Sequence, residues 1–476
     1  MRLRGLAAVA TTGLCVALAA AMPAGAAGKH PGKHPGKHPG HHRPAASGPS
    51  AFSTGQLQAD TPGSPGCGTN PAAEPAIHVN RDNLVALASE DGLGGGSEFW
   101  SGQQVGGTTA ADACQLTYDG QPNAVGHLGA SGGDVDVAIA PTKDPATGTY
   151  RIYVASLNLA SVNVATSTDD GKTFGQVPVV EGIPVDDREW IAASGPSTAL
   201  LTYHDIVTNN IDVLRSDDGG QSFPQVSRAI PDGDYKAGNN QHGNIVIDHL
   251  NTTGAADGQF WAYQSFVAPS SETSDQNVYD GAFLAVSSDG GSTWVDQPIP
   301  CLTAAGQKTG LDHNFPNVSV APNGTLFYSV SNDKSVYVAM SSDHGTTWTC
   351  SGAISSGSQA IFPWIVATSA GENLVYYAAQ GTGSDKVWYV YFAQNLTQSV
   401  TGWQTTQVVS VHKGDVCESG ISCNGGRQLY DDFGVDTDQS GWAHIAYSHD
   451  SPDLGGDNSY TGYAVQTGGT PVGYPN

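Results

Sequence analysis

The sequence predicts an all-β fold, a propeller of seven four-stranded antiparallel blades, and two repeating patterns support this prediction. A unit of two short apolar strands joined by a polar turn recurs at a mean spacing of about 60 residues, within the range of a propeller blade. A second pattern, Ser-x-Asp-x-Gly-x-Ser/Thr-aromatic, is called the box here and occurs four times, with its aspartates at Asp169, Asp218, Asp289 and Asp343. After residue 26 we find no apolar spacing typical of an amphipathic helix.

The first 26 residues are predicted to be a secretory signal peptide. Arg2 and Arg4 precede an apolar run, and Ala24-Gly25-Ala26 supplies the small residues of a cleavage site. Later apolar runs are too short to cross a bilayer. We therefore expect a bacterial protein that is secreted to the extracellular space, with no membrane span.

Residues 27–72 are predicted to be a disordered linker. Gly28 to Pro44 repeats Gly-Lys-His-Pro, and proline and glycine at this density do not build a core. The basic linker could contact the cell wall. It could also bind a divalent metal through its histidines, His30, His34, His38, His41 and His42. We favour the linker interpretation, and we expect no required cofactor and no metal site in the propeller.

The propeller is predicted over residues 73–468, followed by a flexible tail at 469–476. The first strands of the seven units are centred near residues 77, 137, 191, 246, 319, 365 and 434. In the second to fifth units a third strand precedes the box, so the box is the turn between the third and fourth strands. The seventh unit lacks a fourth strand, and a segment before Ile77 must supply it to close the ring. Six blades is the alternative, if the first unit is only a closing strand.

Each box is expected to be a structural turn. Its aspartate accepts hydrogen bonds from the following backbone, and its glycine can take a positive φ without steric cost. The aromatic residue that ends the box packs beneath the hairpin.

Charge and cysteine content agree with an exported protein. Six of the 19 basic residues precede Asp60, so the body holds 13 basic against 44 acidic residues and a net charge of −31. Such a surface repels nucleic acid, which we exclude as a partner. Six cysteines follow the signal and suggest disulfides. Cys417 and Cys423 are close in sequence and are the pair we predict, while Cys301 with Cys350 and Cys67 with Cys114 complete one of several possible pairings.

Four boxes on a four-stranded repeat resemble the Asp-box (bacterial neuraminidase repeat) propellers, which include the sialidases. The resemblance covers Ala73 to about Gly468 and implies that the boxes lie away from the active site. Several stretches are also similar to a group of secreted bacterial proteins labelled exo-α-sialidases: Asp186 to Ile191, Phe362 to Ile365, Cys417 to Cys423, and Arg427 to Asp436. The resemblance implies an extracellular glycan as ligand, an aromatic nucleophile such as Tyr203 or Tyr430, and three arginines that hold a substrate carboxylate.

Strand direction places the candidate functional residues on the face opposite the boxes, which we call the top face. Loops that enter a first strand or join a second strand to a third meet there, around the central channel. Clustered carboxylates shift one another's pKa values, as acid and base catalysis requires. The candidates for catalysis are Asp187, Glu189, Asp205, Asp432 and Tyr430. The candidates for substrate binding are Arg188, Arg427, His204, His242 and His313. Asp134 and Asp431 fall on the same face.

Three functions are compatible with this pattern: a glycosidase, a non-catalytic glycan- or protein-binding propeller, and a cell-wall scaffold tethered by the linker. Only Arg188 and Arg427 are placed to hold a substrate carboxylate, and no Arg-Ile-Pro stretch is present. We therefore expect a sialidase-like propeller that binds a glycan. We do not expect this protein to hydrolyse sialosides by the sialidase mechanism.

Overall fold

The structure is a computed structural model that describes residues 48–92, 95–122, 133–158, 161–179, 186–306, 310–311, 315–418, 423, 427–450 and 458–476. The strands pair into seven antiparallel sheets in sequence order, so the predicted seven-bladed propeller is confirmed. The histidines of the linker, the predicted signal peptide and His313 lie outside the described residues. No helix in the described part of the chain is long and apolar enough to cross a membrane.

Each blade is a meander of four strands. Blade 1 consists of Ala73–Val79, Leu84–Glu90, Ser97–Gln103 and Thr117–Gly120, with the short strand Ser64–Pro65 at its edge. Blades 2 and 3 consist of Val135–Ile139, Ile152–Asn158, Ser161–Ser167 and Gly175–Val179, then Asp186–Ser194, Thr198–Asp205, Asn210–Ser216 and Gln225–Arg228. Blades 4 and 5 consist of Gln241–Asp248, Trp261–Ala268, Gly281–Ser287 and Val295–Pro298, then Asn317–Val320, Leu326–Ser331, Val336–Ser341 and Thr349–Cys350. Blade 6 consists of Gln359–Ala367, Glu372–Gln380, Val387–Asn395 and Gln404–Lys413.

Blade 7 closes the ring with a strand from the N-terminal side of the chain. Gly434–Thr437, Ala443–Asp450 and Ser459–Gly468 pair in order, and Ala51–Gln56 pairs with the last of them. A closing segment before Ile77 was expected. However, it lies inside the range 27–72 assigned to the linker, so that boundary was placed too late. The strand was missed because its Ser, Thr and Gly residues resemble the linker in composition.

The four boxes are the turns between third and fourth strands, as predicted. In the box of blade 4, Asp289 accepts hydrogen bonds from the backbone N–H groups of Ser292 and Thr293, at 3.0 and 2.9 Å, and from the hydroxyls of Ser287 and Thr293. Asp169, Asp218 and Asp343 repeat the bonds to the two hydroxyl side chains in their own boxes. Each box aspartate therefore accepts hydrogen bonds within its own turn.

Polar side chains on the first strands connect neighbouring blades around the channel. At five blade junctions a side chain on one first strand accepts a hydrogen bond from the backbone N–H of the next, over 2.6–2.9 Å. The acceptors are His78, Asp136, Asn244, Asn317 and Asp436. The channel is therefore stabilised by direct bonds between blades as well as by apolar packing.

The lower half of the channel is an apolar cavity of about 190 Å³. First-strand residues such as Ile77, Ile191 and Val318 line it, and the C-terminal Pro475 and Asn476 also form part of its wall. The predicted flexible tail is instead packed on the bottom of the propeller. Ser369 donates its N–H to the carbonyl of Tyr474, and Thr368 pairs with Pro475. This tail was mispredicted because its backbone partners lie about a hundred residues earlier in the chain.

Three disulfides join Cys67 to Cys114, Cys301 to Cys350 and Cys417 to Cys423. The predicted pair Cys417–Cys423 and the two other pairs considered are all present. Cys301 lies in a short helix, Pro300–Gly306, that the sequence pattern did not predict. The disulfides are typical of proteins that fold in an oxidising compartment.

Candidate functional site

Arg188 is the centre of the top face. It lies at a bulge in the first strand of blade 3 with φ of +44°, a conformation uncommon for a residue other than glycine. Its guanidinium donates to Glu74 of blade 1 at 3.0 Å and to Asp432 of blade 7 at 2.5 Å. It also stacks on the ring of Trp190, 3.7 Å from the ring centre. Arg188 is thus buried between three blades with its charge neutralised by carboxylates.

Arg427 forms a second ion-pair centre beside the first. Its guanidinium pairs with Asp431, lies 3.6 Å from Glu74 Oε2 and 4.0 Å from Glu90 Oε1, and stacks over the Tyr430 ring. Glu74 therefore links both arginines, with one oxygen toward each. Unlike Arg188, Arg427 keeps 19% of its side chain exposed, so this part of the network reaches the surface.

Three carboxylates meet between these arginines. Glu74, Glu90 and Asp134 each place an oxygen within 4.8 Å of the other two, which is a spacing that could hold a metal ion. The sequence analysis placed Asp134 on this face but missed both glutamates. Blade 1 has no box, and its first strand was taken to start at Ile77 rather than Ala73. With the first strand beginning at Ala73, strand direction places Glu74 at the entry to that strand and Glu90 at the end of the second, both on the top face.

Burial and mutual repulsion raise the pKa values of these acids. Burial and the charge of Asp134 raise the pKa of Glu90 to about 8, and raise that of Glu74 well above its usual range. Burial raises the pKa of Asp431 to about 6, opposed by Arg427 and Arg188, and that of Asp432 to about 7, opposed by Arg188. The top face therefore contains several carboxyls with shifted pKa values, a feature that functional sites often share.

The predicted catalytic residues divide into accessible and inaccessible groups. Asp187 is exposed as a whole residue, but its carboxyl is partly desolvated beside the network, and this desolvation and the charge of Asp134 raise its pKa. Tyr430 is half-buried, and burial and the charge of Glu90 raise its pKa to about 12, so its hydroxyl is protonated at neutral pH. Asp432 is 7% exposed and is bound to Arg188, so it acts on that arginine.

Glu189 is fully buried, and neither carboxylate oxygen has a hydrogen-bond partner among the described residues. Burial and the charge of Asp134 raise its pKa well above its usual range. Tyr203 is buried in the core between blades 2 and 3, where a substrate does not reach it. Neither residue is placed to act on a ligand from the surface.

Asp205 does not join the cluster. Its oxygens accept from the N–H groups of Val207 and Thr208 and from the Thr208 hydroxyl, so they are used in its own hairpin turn. The catalytic role expected for Asp205 has no support in this geometry. Strand direction identifies the end of the blade at which a residue lies, but it does not show whether the side chain faces the channel or its own turn.

His204 and His242 stack on each other with ring centres 5.8 Å apart. Burial lowers the pKa of both histidines, and for His242 the charges of His204 and Arg188 add to the effect. His242 Nε2 lies 3.0 Å from the carbonyl oxygen of Arg188. The pair is therefore neutral and supports the bulge that positions Arg188.

Comparisons with known proteins leave the family open. No protein-family model matches the chain, and no curated protein matches it. The α-L-arabinofuranosidase Arb93A from Fusarium graminearum is similar at 10% identity and a TM-score of 0.43, over 88% of this chain and 98% of that one. The NanB sialidase from Streptococcus pneumoniae has 8% identity and a TM-score of 0.40, over 87% and 70%. The phage phi92 endosialidase has 8% identity and a TM-score of 0.47, over 88% and 69%.

These likenesses are too distant to transfer an activity, and the fold described above rests on its own strand pairing. The resemblance to Asp-box propellers continues to rest on the four boxes themselves.

Proposed function

We propose that this protein is a secreted propeller that binds an extracellular glycan on its top face. The observation that carries the proposal is the accessible group Asp187, Arg427, Tyr430 and Asp431, which we call the rim, set beside the buried network around Arg188. Carboxylates and guanidinium groups bond to sugar hydroxyls, and a tyrosine ring packs against a sugar face. Because the buried ion pairs restrain Arg427 and Asp431, the rim is preorganised for a ligand.

The rim does not suit a sialic acid carboxylate. Both top-face arginines are already paired with carboxylates, so neither has its full guanidinium fork free. The other arginines that the structure describes have partners away from the rim: Arg81 is near Tyr474, Arg151 beside Asp144, Arg215 with Asp217, and Arg228 with Asp212 and Asp232. We therefore propose a neutral or basic glycan as the ligand, and no release of sialic acid from sialosides.

Glycoside hydrolysis is a second candidate function, favoured by one observation. Asp187 and Asp431 are both at the rim, where desolvation raises the pKa of each carboxyl, and the charge of Asp187 adds to the shift that brings Asp431 to about 6. Two nearby carboxyls, one protonated and one ionised, are what an acid and base pair needs. In this mechanism Asp431 donates a proton to the leaving oxygen, and Asp187 acts as the base or nucleophile.

A screen of the purified protein against neutral, basic and sialylated glycans tests the binding proposal. We expect binding to a neutral or basic glycan, and a loss of about tenfold or more for Asp431→Asn because a charge-assisted hydrogen bond is removed. Asp205→Asn is the matched control, a top-face carboxylate used only in its own turn, and it should bind normally. Binding that survives in Asp431→Asn and in Tyr430→Ala would contradict the assignment of the rim.

Aryl glycosides of the same sugars test hydrolysis separately. Turnover that is lost in both Asp187→Asn and Asp431→Asn, with glycan binding retained in at least one, would support the enzyme. Glycan binding without turnover would support a non-catalytic glycan-binding protein. Loss of wall association on deleting residues 28–44, with no glycan binding, would favour the scaffold instead.

A further inference from the structure

We infer that Glu74, Glu90 and Asp134 form a Ca²⁺ site in the top face. One carboxylate oxygen from each lies within 4.8 Å of the others. Two ligands on opposite sides of Ca²⁺ span roughly 4.6–5.2 Å, since Ca–O distances are about 2.3–2.6 Å. The three oxygens are therefore close enough to share one ion. This inference goes beyond glycan binding and does not depend on it.

The hydrogen bonding of these carboxylates points independently to a missing ligand. Glu90 is 3% exposed, and among the described residues its carboxylate accepts no hydrogen bond; Arg427 lies 4.0 Å from its Oε1. The Asp134 carboxylate has a similarly distant contact, 3.9 Å to Arg188, and Glu74 Oε2 is buried without a hydrogen bond and faces Arg427 at 3.6 Å. Buried carboxylates normally have such partners, so the oxygens turned toward this point lack one.

The arginines do not balance the charge of the cluster. Five carboxylates contact Arg188 and Arg427, namely Glu74, Glu90, Asp134, Asp431 and Asp432. Fully ionised, this group carries a formal charge of −3, and a divalent cation reduces it to −1. The ion would also join blades 1 and 2, because Glu74 and Glu90 belong to blade 1 and Asp134 directly precedes the first strand of blade 2.

The donor set selects the metal. All three ligands are carboxylate oxygens, which suit Ca²⁺ and Mg²⁺ better than Zn²⁺ or Cu²⁺. Mg²⁺ requires a tighter octahedron of about 2.0–2.1 Å and usually retains several waters, whereas Ca²⁺ accepts irregular sets of 6–8 oxygens. A carboxylate trio drawn from two blades therefore favours Ca²⁺, which tolerates an irregular set of oxygens, over Mg²⁺.

Calorimetry and thermal unfolding of the full mature chain, freed of metal with a chelator, test the site. We expect one Ca²⁺ per chain, with Kd in the range of roughly 10⁻⁵–10⁻³ M, and a rise in Tm of about 2–4 °C at saturating Ca²⁺. Glu90→Gln and Asp134→Asn should each lose the Ca²⁺ response. Two isosteric variants are used so that a folding failure in one leaves the other informative.

Glu372→Gln is the matched control, because Glu372 is another fully buried glutamate with an oxygen that lacks a hydrogen bond, but it lies on blade 6. It should keep the full response to Ca²⁺. The inference is overturned if the wild-type chain neither binds Ca²⁺ nor changes its Tm. It is also overturned if both site variants respond as the wild type does, or if Mg²⁺ binds as tightly as Ca²⁺.

Discussion

At the scale of single residues, Arg188 determines the arrangement of the top face. It contacts Glu74, Asp134 and Asp432 on blades 1, 2 and 7 from its own position on blade 3. Its side chain is 3% exposed, so the ion pairs are shielded from water and from salt. The residue thus contributes to both blade packing and site geometry.

Replacing Arg188 with alanine should destabilise the fold strongly. The change leaves buried carboxylates without their cation and removes the stacking on Trp190, at a cost of about 3–5 kcal/mol in the free energy of unfolding. Denaturant unfolding measures this cost. Arg228→Ala is the control, because its ion pairs are at the surface and should contribute less than about 1 kcal/mol. Equal costs for the two variants would contradict the buried network.

We expect the box aspartates to affect stability and not ligand binding. Asp289→Ala removes the acceptor for four hydrogen bonds in one turn and should cost about 1–3 kcal/mol. Partial desolvation opposes the shift, but these bonds keep the pKa of Asp289 below its usual value. Its stabilising contribution is therefore present above the unfolded pKa near 4 and is lost only as pH falls through the lower folded pKa. Unfolding of the variant below and above pH 4 measures both effects.

At the scale of elements, the first strands combine two functions. Bulges at the top, at Glu74, Arg188 and Phe362, each have a positive φ and interrupt the register. Below them, side chains bond to the next blade. The bulges at Glu74 and Arg188 place polar residues at the channel mouth, while the regular part of each strand bonds to the next blade.

The raised pKa of Asp436 predicts how the free energy of unfolding depends on pH. Burial raises its pKa to about 7, with Asp438 adding to the shift, even though it accepts from the N–H of Val79. The folded state therefore binds a proton more tightly than the unfolded state, whose pKa is near 4. Stability from this group should be highest below about pH 4 and fall as pH rises to about 7, by on the order of 1–3 kcal/mol.

Chemical unfolding at pH 5 and pH 7.5 measures this slope. Asp136 has a pKa raised to about 7 by the same cause and contributes in the same direction. Asp436→Asn should reduce the fall in stability between the two pH values. An unchanged slope in Asp436→Asn would show that Asp436 is ionised in the folded state.

The elements were largely predictable because the relevant information is local. Apolar strand pairs and box turns depend on residues within about ten positions, so seven first strands and four boxes were assigned correctly. The Arg188 bulge was not, because a positive φ at an arginine is maintained by contacts with Glu74 and Asp432, far away in sequence. For the same reason the acid cluster was only partly found: Asp134, Asp431 and Asp432 were placed there, whereas Glu74 and Glu90 were missed.

At the scale of the whole molecule, ring closure depends on Ala51–Gln56. This strand covers the edge of Ser459–Gly468, and Phe52 packs on Phe392 of blade 6 with ring centres 5.1 Å apart. Deleting residues 27–56 should therefore expose a strand edge and lower Tm by about 5–10 °C. Deleting only residues 27–47 should leave Tm nearly unchanged. Similar Tm values for the two truncations would show that the ring does not need this strand.

We propose that the top face binds the ligand and that the boxes stabilise the fold. The most direct test measures Kd for one glycan, taken from the screen, with the wild type, Asp431→Asn and Asp289→Ala. We predict that Asp431→Asn weakens binding about tenfold or more while Asp289→Ala binds as the wild type does and unfolds more easily. Binding that is lost in Asp289→Ala under conditions where it is folded, and kept in Asp431→Asn, would contradict the claim.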